Sequence, residues 1–484
     1  MRGPILKLLS ATGFASVAGY LGMLVLVRLY PAESFGLFDF LISVVGILTP
    51  VVSLRYEDAL MLAEDDRDGA HAYLLSIGTA IALSSALWLL VPFRVQIGDF
   101  FDNADVATWL WIIPVLLIIV RLARISELWL TRQERFGRVS AGQIAQTSSM
   151  IGVRIGAGFL SASAAGLVYG FAAGWTTGLL VNARLVASTL RSALSRGIDL
   201  DRIRFLARRY RRFPLFTMPA AMISMMGSRL PFLLLVYFFT LDTVGYFGRA
   251  YSALFMPLSL VGIAVAQVFF VRAVEARRSG TIGAITDIIH RRLVFVALFP
   301  CVLLALAGPE LFGFLFGDDW RLSGAIARHI APWIFFTAIA SPMSRLFDVL
   351  ERQKLELATN VAIFLVIGVG LWYGGVKEDL MLSLLLLGIG GGIVRFWQLA
   401  VIAGLCGISW RSFFGPYLRY GLISIPWLLP VAAALTWATD FVVFLAAAAG
   451  GIGFAASVVF GEGLFDVSPQ PSQENPGTIE KDSP

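Results

Sequence analysis

Apolar runs of roughly 20 residues recur along the whole chain, and no other feature of the sequence constrains its fold as tightly. In a bilayer such a run crosses as a helix, because a helix satisfies its own backbone hydrogen bonds where water is absent. The candidate spans are residues 10–30, 36–62, 73–92, 108–130, 139–160, 164–186, 213–239, 244–271, 293–316, 328–350, 355–374, 380–404, 417–438 and 441–460. The chain is 58% apolar and only 14% charged, where a soluble domain has about 45–50% and about 25%, so no soluble domain fits beside the spans. The period-two alternation of a membrane barrel is absent. The expected fold class is an all-α polytopic membrane protein with about 14 transmembrane helices. The first apolar run continues to Val27 without a polar break, so residues 1–19 read as part of an uncleaved helix rather than as a signal peptide.

Arginine placement sets the expected orientation. With the N-terminus inside, the inner loops hold Arg132, Arg135 and Arg138, the cluster from Arg191 to Arg212, and Arg272, Arg277, Arg278, Arg291, Arg292, Arg352, Lys354, Arg411 and Arg419. The outer loops hold only Arg94, Arg321, Arg328 and Lys377. An even number of spans then puts the C-terminus inside as well. The net charge of +6 is explained by these loops and implies no nucleic-acid partner. One inner loop breaks the trend, Glu64-Asp65-Asp66-Arg67-Asp68.

A repeat organises the spans. Gly36-Leu37-Phe38 is echoed by Gly245-Tyr246-Phe247, 209 residues later, and Glu33 by Asp242. Both copies start on the same side, so the repeat is parallel, about an axis along the membrane normal. The expected domains are an N-lobe (residues 1–186, spans one to six), a basic cytoplasmic linker (187–212) and a C-lobe (213–404, spans seven to twelve). An extra helix pair (405–460) and a disordered cytoplasmic tail (461–484), rich in Pro, Ser and Glu, follow. The linker places Ile203, Leu206 and Tyr210 at helical spacing, which predicts a short amphipathic helix lying on the anionic inner leaflet.

Ten arginines fall inside predicted spans: Arg28, Arg55, Arg121, Arg124, Arg154, Arg184, Arg229, Arg249, Arg345 and Arg395. Each costs about 2.5–3.5 kcal/mol at a helix centre, so each must snorkel, pair or face a wet cavity. Arg28, Arg184, Arg249 and Arg345 lie near span ends and read as snorkelling. Arg55 can pair with Asp58, Arg124 with Glu127 and Arg345 with Asp348, all at i+3. Arg121, Arg154, Arg229 and Arg395 have no acid within one turn. Buried cations outnumber buried acids, which points to an anionic ligand, and the guanidinium fork suits phosphate oxygens. The candidate binding set is therefore Arg55, Arg121, Arg154, Arg229 and Arg395. Asp39 and Asp58 are the acids available to a coupling ion.

Catalytic chemistry has little to build on. His71, His290 and His329 are isolated, no Cys/His/acid cluster has metal spacing, and Cys301 and Cys406 read as packing residues. Gly388, Gly390, Gly391 and Gly392 lie within an apolar span and read as helix packing. No metal, no cofactor and no enzyme activity is expected. Tyr30, Trp88, Trp320, Trp333 and Trp410 fit an interfacial aromatic belt.

Residues 28–38 (RLYPAESFGLF) and 53–60 (SLRYEDAL) resemble the start of bacterial oligosaccharide flippases of the polysaccharide transporter family. That family belongs to the multidrug/oligosaccharidyl-lipid/polysaccharide exporter superfamily. Residues 230–235 (LPFLLL), 244–247 (VGYF), 257–260 (PLSL) and 267–270 (QVFF) resemble its second half. The resemblance implies two six-helix lobes around a central cavity in the bacterial inner membrane. It also implies alternating access that moves an undecaprenyl-pyrophosphate-linked oligosaccharide to the periplasmic leaflet for O-antigen, exopolysaccharide or capsule. The partners so implied are the polyprenyl pyrophosphate carrier, membrane lipids, a proton or sodium ion, and a polysaccharide polymerase with its export machinery. Arg55 lies in the matching first-lobe motif, whereas Arg229 stands where the family usually has an uncharged polar residue. Two alternatives stand beside this reading. A cation-coupled multidrug exporter on the same scaffold would favour an acidic or aromatic cavity. A polytopic glycosyltransferase or ligase would need catalytic groups in a sizeable outer loop, and the longest here has about 15 residues (93–107).

Overall fold

Every regular element among the described residues is helical, as a chain that must satisfy its backbone inside lipid requires. The computed structural model describes residues 2–195 and 197–462, so the tail expected from residue 461 lies outside it beyond Glu462. The first part comprises α1 (Arg2–Leu29), α2 (Ala32–Ser53), α3 (Asp58–Leu62), α4 (Asp66–Ala86), α5 (Arg94–Phe100), α6 (Ala104–Trp109), α7 (Ile113–Arg132), α8 (Phe136–Leu160) and α9 (Ala164–Ala193). Then come α10 (Leu200–Arg209), α11 (Met218–Phe238), α12 (Leu241–Ser279), α13 (Ile282–Phe316), α14 (Arg321–Met343), α15 (Leu346–Val349), α16 (Gln353–Val376) and α17 (Leu380–Leu405). The pair α18 (Trp410–Trp437) and α19 (Asp440–Glu462) ends the described chain. Among the described residues, eleven helical stretches are long and apolar enough to cross a membrane.

The helices group as two bundles. Helices α1, α2, α4, α7, α8 and α9 pack on one another, and so do α11, α12, α13, α14, α16 and α17. Contact between the bundles runs through α2 against α11 and α12, with α1 touching α12 and α13. Helices α18 and α19 pack together and dock on α13.

The 36–62 span is not one helix. α2 stops at Ser53, and Leu54 and Arg55 both take left-handed backbone angles (φ 50° and 58°) before α3 begins at Asp58. That region costs a residue with a side chain about 1–3 kcal/mol. Its repeat partner α12 runs on without a break for 39 residues, on the order of 58 Å.

The acidic loop that broke the charge trend has a partner in the linker. Arg202 of α10 grips Asp68 with two hydrogen bonds (2.7 and 2.6 Å), and Arg209 reaches Glu64 at 2.6 Å. Hydrogen bonding to Asp68 pushes the Arg202 guanidinium above its ordinary range. The backbone N–H groups of Arg202 and Asp201 hold the Asp199 carboxyl below the usual range. The Asp199 N–H donates to His71 Nε2. The predicted amphipathic helix therefore exists, with Leu206 and Tyr210 turned to the protein and Leu200 and Phe205 exposed. Leu206 is buried, and Tyr210 donates to Leu62 O.

Aromatic placement also departs from the expected belt. Trp88 and Trp410 are exposed, whereas Tyr30, Trp320 and Trp333 are buried. Cys301 and Cys406 are buried and unbridged, as packing residues would be.

Candidate functional site

The seam between the two bundles is built from the sequence repeat itself. α2 begins at Ala32 and α12 at Leu241, the same 209-residue offset that relates Gly36 to Gly245. A methyl group on Gly36 would lie 1.8 Å from Leu241 O, and one on Gly245 would lie 1.9 Å from Ala32 O. The contact is thus reciprocal: each helix sets its glycine against the carbonyl that the repeat pairs with its own first residue. Backbones can come this close only where neither helix carries a side chain. Trp320 closes the same end, donating to Val27 O at 3.0 Å and meeting the Phe35 and Tyr246 rings edge-on. Arg28, exposed as a snorkelling residue would be, donates to the last-turn carbonyls of α13, Phe314 O and Leu315 O. A cation at a helix C-terminus is well placed.

Below this closure sits Asp39, two turns into α2. Arg249 of α12 holds it with one nitrogen, Nη2 lying 3.1 Å from Oδ1 and 2.9 Å from Oδ2. The repeat partner of Asp39 is Gly248, where a Cβ would come within 2.0 Å of Asp39 Oδ2. The carboxylate occupies the space this glycine leaves. Arg249 does not snorkel: it is 8% exposed, with its guanidinium carbon 4.1 Å over the Phe35 ring. Arg154 and Arg229 also act electrostatically on Asp39. Arg154 of α8 donates to Leu167 O (3.1 Å), lies 4.5 Å over Phe38 and keeps Nη2 buried without a hydrogen bond. Gly170 makes room for it, since a Cβ there would lie 2.4 Å from Arg154 Cγ. Arg229 of α11 packs beside Gly46 of α2. Tyr251 lies within electrostatic reach of Arg229 and of Arg395 on α17. Arg395 donates to Gln398 at 2.8 Å and keeps its Nε buried and unbonded. Arg249 thus pairs with Asp39, two further arginines lie within electrostatic reach of that acid, and a fourth lies beyond Tyr251. In this low-dielectric setting such an imbalance is felt strongly.

The other two candidate arginines sit at the break after α2. Arg55 pairs with Asp58 through Nε (3.0 Å) and Nη2 (2.9 Å). Arg121 of α7 lies 2.7 Å from Glu57 Oε1, and both are buried. Glu57 Oε2 has no hydrogen bond. Two cations meet two acids here, so this cluster carries no surplus charge. The predicted set therefore divides: Arg154, Arg229 and Arg395 approach the seam, while Arg55 and Arg121 form a neutral group at the helix break. Sequence reasoning missed Arg249 as the partner of Asp39, although the offset that sets Gly248 opposite Asp39 was there to be read. Among the described residues no cluster of His, Cys, Asp or Glu could hold a metal ion.

A Gly248→Ala substitution would push the Asp39 carboxylate out of its space. We expect it to lower stability by about 1–3 kcal/mol, measured by thermal unfolding in detergent. Wild-type stability would show that Asp39 is not held there.

A family model described as polysaccharide biosynthesis protein matches residues 25–324. The chain belongs to that family. The resemblance read from its motifs is borne out, and the matched region contains α2, α12 and the whole seam between them. No curated protein matches the sequence. Among solved structures, the lipid II flippase MurJ in an inward closed conformation superposes with a TM-score of 0.72 at 14% identity, covering 95% of this chain and 100% of that one. A multidrug resistance MATE family transporter of the MOP superfamily, inward-facing, gives a TM-score of 0.62 at 12% identity, over 81% of this chain and 96% of that one. An outward-facing MATE family transporter of the same superfamily gives 0.52 at 14% identity, over 83% and 94%. This family member is a multi-span membrane protein with the fold those transporters share.

Proposed function

We propose that this chain is a flippase. It carries a polyprenyl-pyrophosphate-linked oligosaccharide across the bacterial inner membrane by alternating access, in surface polysaccharide assembly. The observation that supports this most directly is the charge balance at the seam, where Arg249 pairs with Asp39, Arg154 and Arg229 lie within electrostatic reach of the same acid, and Arg395 lies within reach of Tyr251. A pyrophosphate supplies the missing negative charge, and guanidinium forks bind its oxygens in pairs. The polyprenyl tail stays in lipid while the two bundles rock about the seam. Asp39 and Asp58, each held by an arginine in this state, become available to a proton or sodium ion when those arginines turn toward cargo. Arg55 and Arg121 join the binding set only at that point in the cycle. The lipid II flippase and the MATE transporters share this fold. A cationic drug, as a multidrug exporter would carry, meets repulsion at the same seam.

Binding of undecaprenyl pyrophosphate to the purified protein tests this. Each charge-assisted hydrogen bond contributes about 1.5–3 kcal/mol, so Arg154→Gln and Arg229→Gln are each expected to weaken binding about 10- to 100-fold. Folded variants with wild-type affinity would rule the seam out as the cargo site. A deletion strain that gains drug sensitivity while its surface polysaccharide stays normal would favour the exporter reading.

A further inference from the structure

Three buried hydrogen-bond donors stand without partners in the second bundle, where α14 packs between α12 and α17. The glycine run of α17 sets the register. A Cβ on Gly388 would lie 1.9 Å from His329 O, and one on Gly391 would lie 2.6 Å from Trp333 Cδ1. One turn further along both helices, the Phe336 and Phe396 rings meet with centroids 5.3 Å apart. Thr337 follows Trp333, and Arg395 follows Gly391, at i+4 on the same helix faces, so these two residues come level with each other. Tyr251 of α12 stands on the third side, its ring centroid 5.6 Å from that of Trp333 and its phenol within electrostatic reach of Arg395.

The unpartnered atoms are Trp333 Nε1, Thr337 Oγ1 and Arg395 Nε. Trp333 is only 3% exposed and Thr337 8%. Buried helix hydroxyls ordinarily bond back to the carbonyl one turn before, as those of Thr49, Ser76 and Thr79 do at 2.7, 2.7 and 2.9 Å. Thr337 forgoes that bond. Arg395 donates through Nη1 to Gln398, a neutral residue. An indole N–H and a guanidinium can only donate, so a group that satisfies all three atoms must accept. The charge of Arg395, set against a neutral amide, favours an anion over a sugar hydroxyl. Trp333 is too deeply buried to offer its face to a sugar ring.

We propose that Arg395, Trp333 and Thr337 form an anion subsite inside the second bundle, which takes a negatively charged oxygen group of the cargo head: the second phosphate or a carboxylate on the sugar. The subsite rests on the flippase reading for its cargo, but none of its residues belongs to α2, α8 or α11.

Binding of undecaprenyl pyrophosphate, glucuronate and glucose to the purified full chain reads this out. Trp333→Phe/Thr337→Val removes two of the donors and keeps an aromatic ring and a β-branched side chain in place. It is expected to bind one or both anions at least tenfold more weakly than the wild type, with no change toward glucose. Thr337→Val alone should lose anion binding severalfold, while the empty protein melts no lower than the wild type, because an unpaired buried hydroxyl is removed. This single variant carries the test if the double variant does not fold. Loss confined to undecaprenyl pyrophosphate would assign the subsite to the second phosphate, and loss confined to glucuronate would assign it to a carboxylate on the sugar. Folded variants that bind both anions like the wild type would overturn the proposal, as would an equal loss of glucose. Loss of undecaprenyl pyrophosphate only in Arg154→Gln/Arg229→Gln, with both anions bound normally by the α14 variants, would keep the seam and remove the subsite. Loss only in the α14 variants would keep the subsite and remove the seam.

Discussion

Alanine at Gly36 and Gly245 together is expected to hold the seam open at the end where α2 and α12 begin. Each added methyl would meet a backbone carbonyl of the opposite helix, at 1.8 Å from Leu241 O and 1.9 Å from Ala32 O. A clashing side chain can rotate away, but a carbonyl inside a helix cannot. The helices must separate by ~1.5 Å to restore ordinary contact, and overpacking of this kind typically costs 1–3 kcal/mol. The cost falls only on the closed state, so the population shifts toward open forms. Thr243, buried beside the seam and the repeat partner of Ser34, can report the change. In a Cys301→Ser/Cys406→Ser background, Thr243→Cys should react with a membrane-impermeant maleimide at least tenfold faster when both glycines are replaced. The pseudo-two-fold arrangement adds a stricter expectation. Either alanine wedges the same contact, so the single variants should match each other and the double should fall short of their sum. An unchanged labelling rate in the folded double variant would show that this contact does not close the seam. Strongly unequal single variants would show that the two copies of the repeat no longer act alike.

That seam was partly legible in one dimension. Hydropathy located the helices, because each crossing needs about 20 apolar residues whatever the tertiary structure. The echo of Gly36 by Gly245 located the axis relating the two bundles, because symmetric helices meet at equivalent positions. What stayed hidden depends on partners far apart in sequence. Asp39 and Arg249 are 210 residues apart, and no local spacing rule reaches across that gap. The same holds for Arg121, which has no acid within one turn on α7 but finds Glu57 beyond the end of α2. The left-handed pair Leu54 and Arg55 was hidden for another reason. Neither is a glycine or precedes a proline, so the tertiary structure imposes a break that local propensity does not announce. The acidic loop at residues 64–68 looked like an exception to the orientation rule, and it becomes ordinary once Arg202 and Arg209 are seen to dock on it.

The Asp39–Arg249 pair is expected to respond asymmetrically to the loss of either partner. Breaking a buried ion pair by deleting one member costs about 3–5 kcal/mol, because the survivor keeps its charge without compensation. Here the two survivors differ. Asp39→Asn leaves Arg154, Arg229 and Arg249 together with no acid among them, so repulsion adds to the desolvation cost. Arg249→Gln leaves Asp39 within reach of two other arginines, which still offset its charge. Asp39→Asn should therefore sit at the upper end of that range and Arg249→Gln well below it, compared by thermal unfolding of the purified proteins. The double variant Asp39→Asn/Arg249→Gln should recover part of the loss, since a neutral pair carries neither penalty. Its coupling energy then measures the interaction across the seam. Equal losses in the single variants would mean that Arg154 and Arg229 do not compensate Asp39, and with it would go the case for reading the seam as one positively charged site. The asymmetry also separates a latch from a binding group. If an anionic cargo takes the place of Asp39, undecaprenyl pyrophosphate should raise the melting temperature of Asp39→Asn more than that of the wild type, because ligand and aspartate serve the same three arginines.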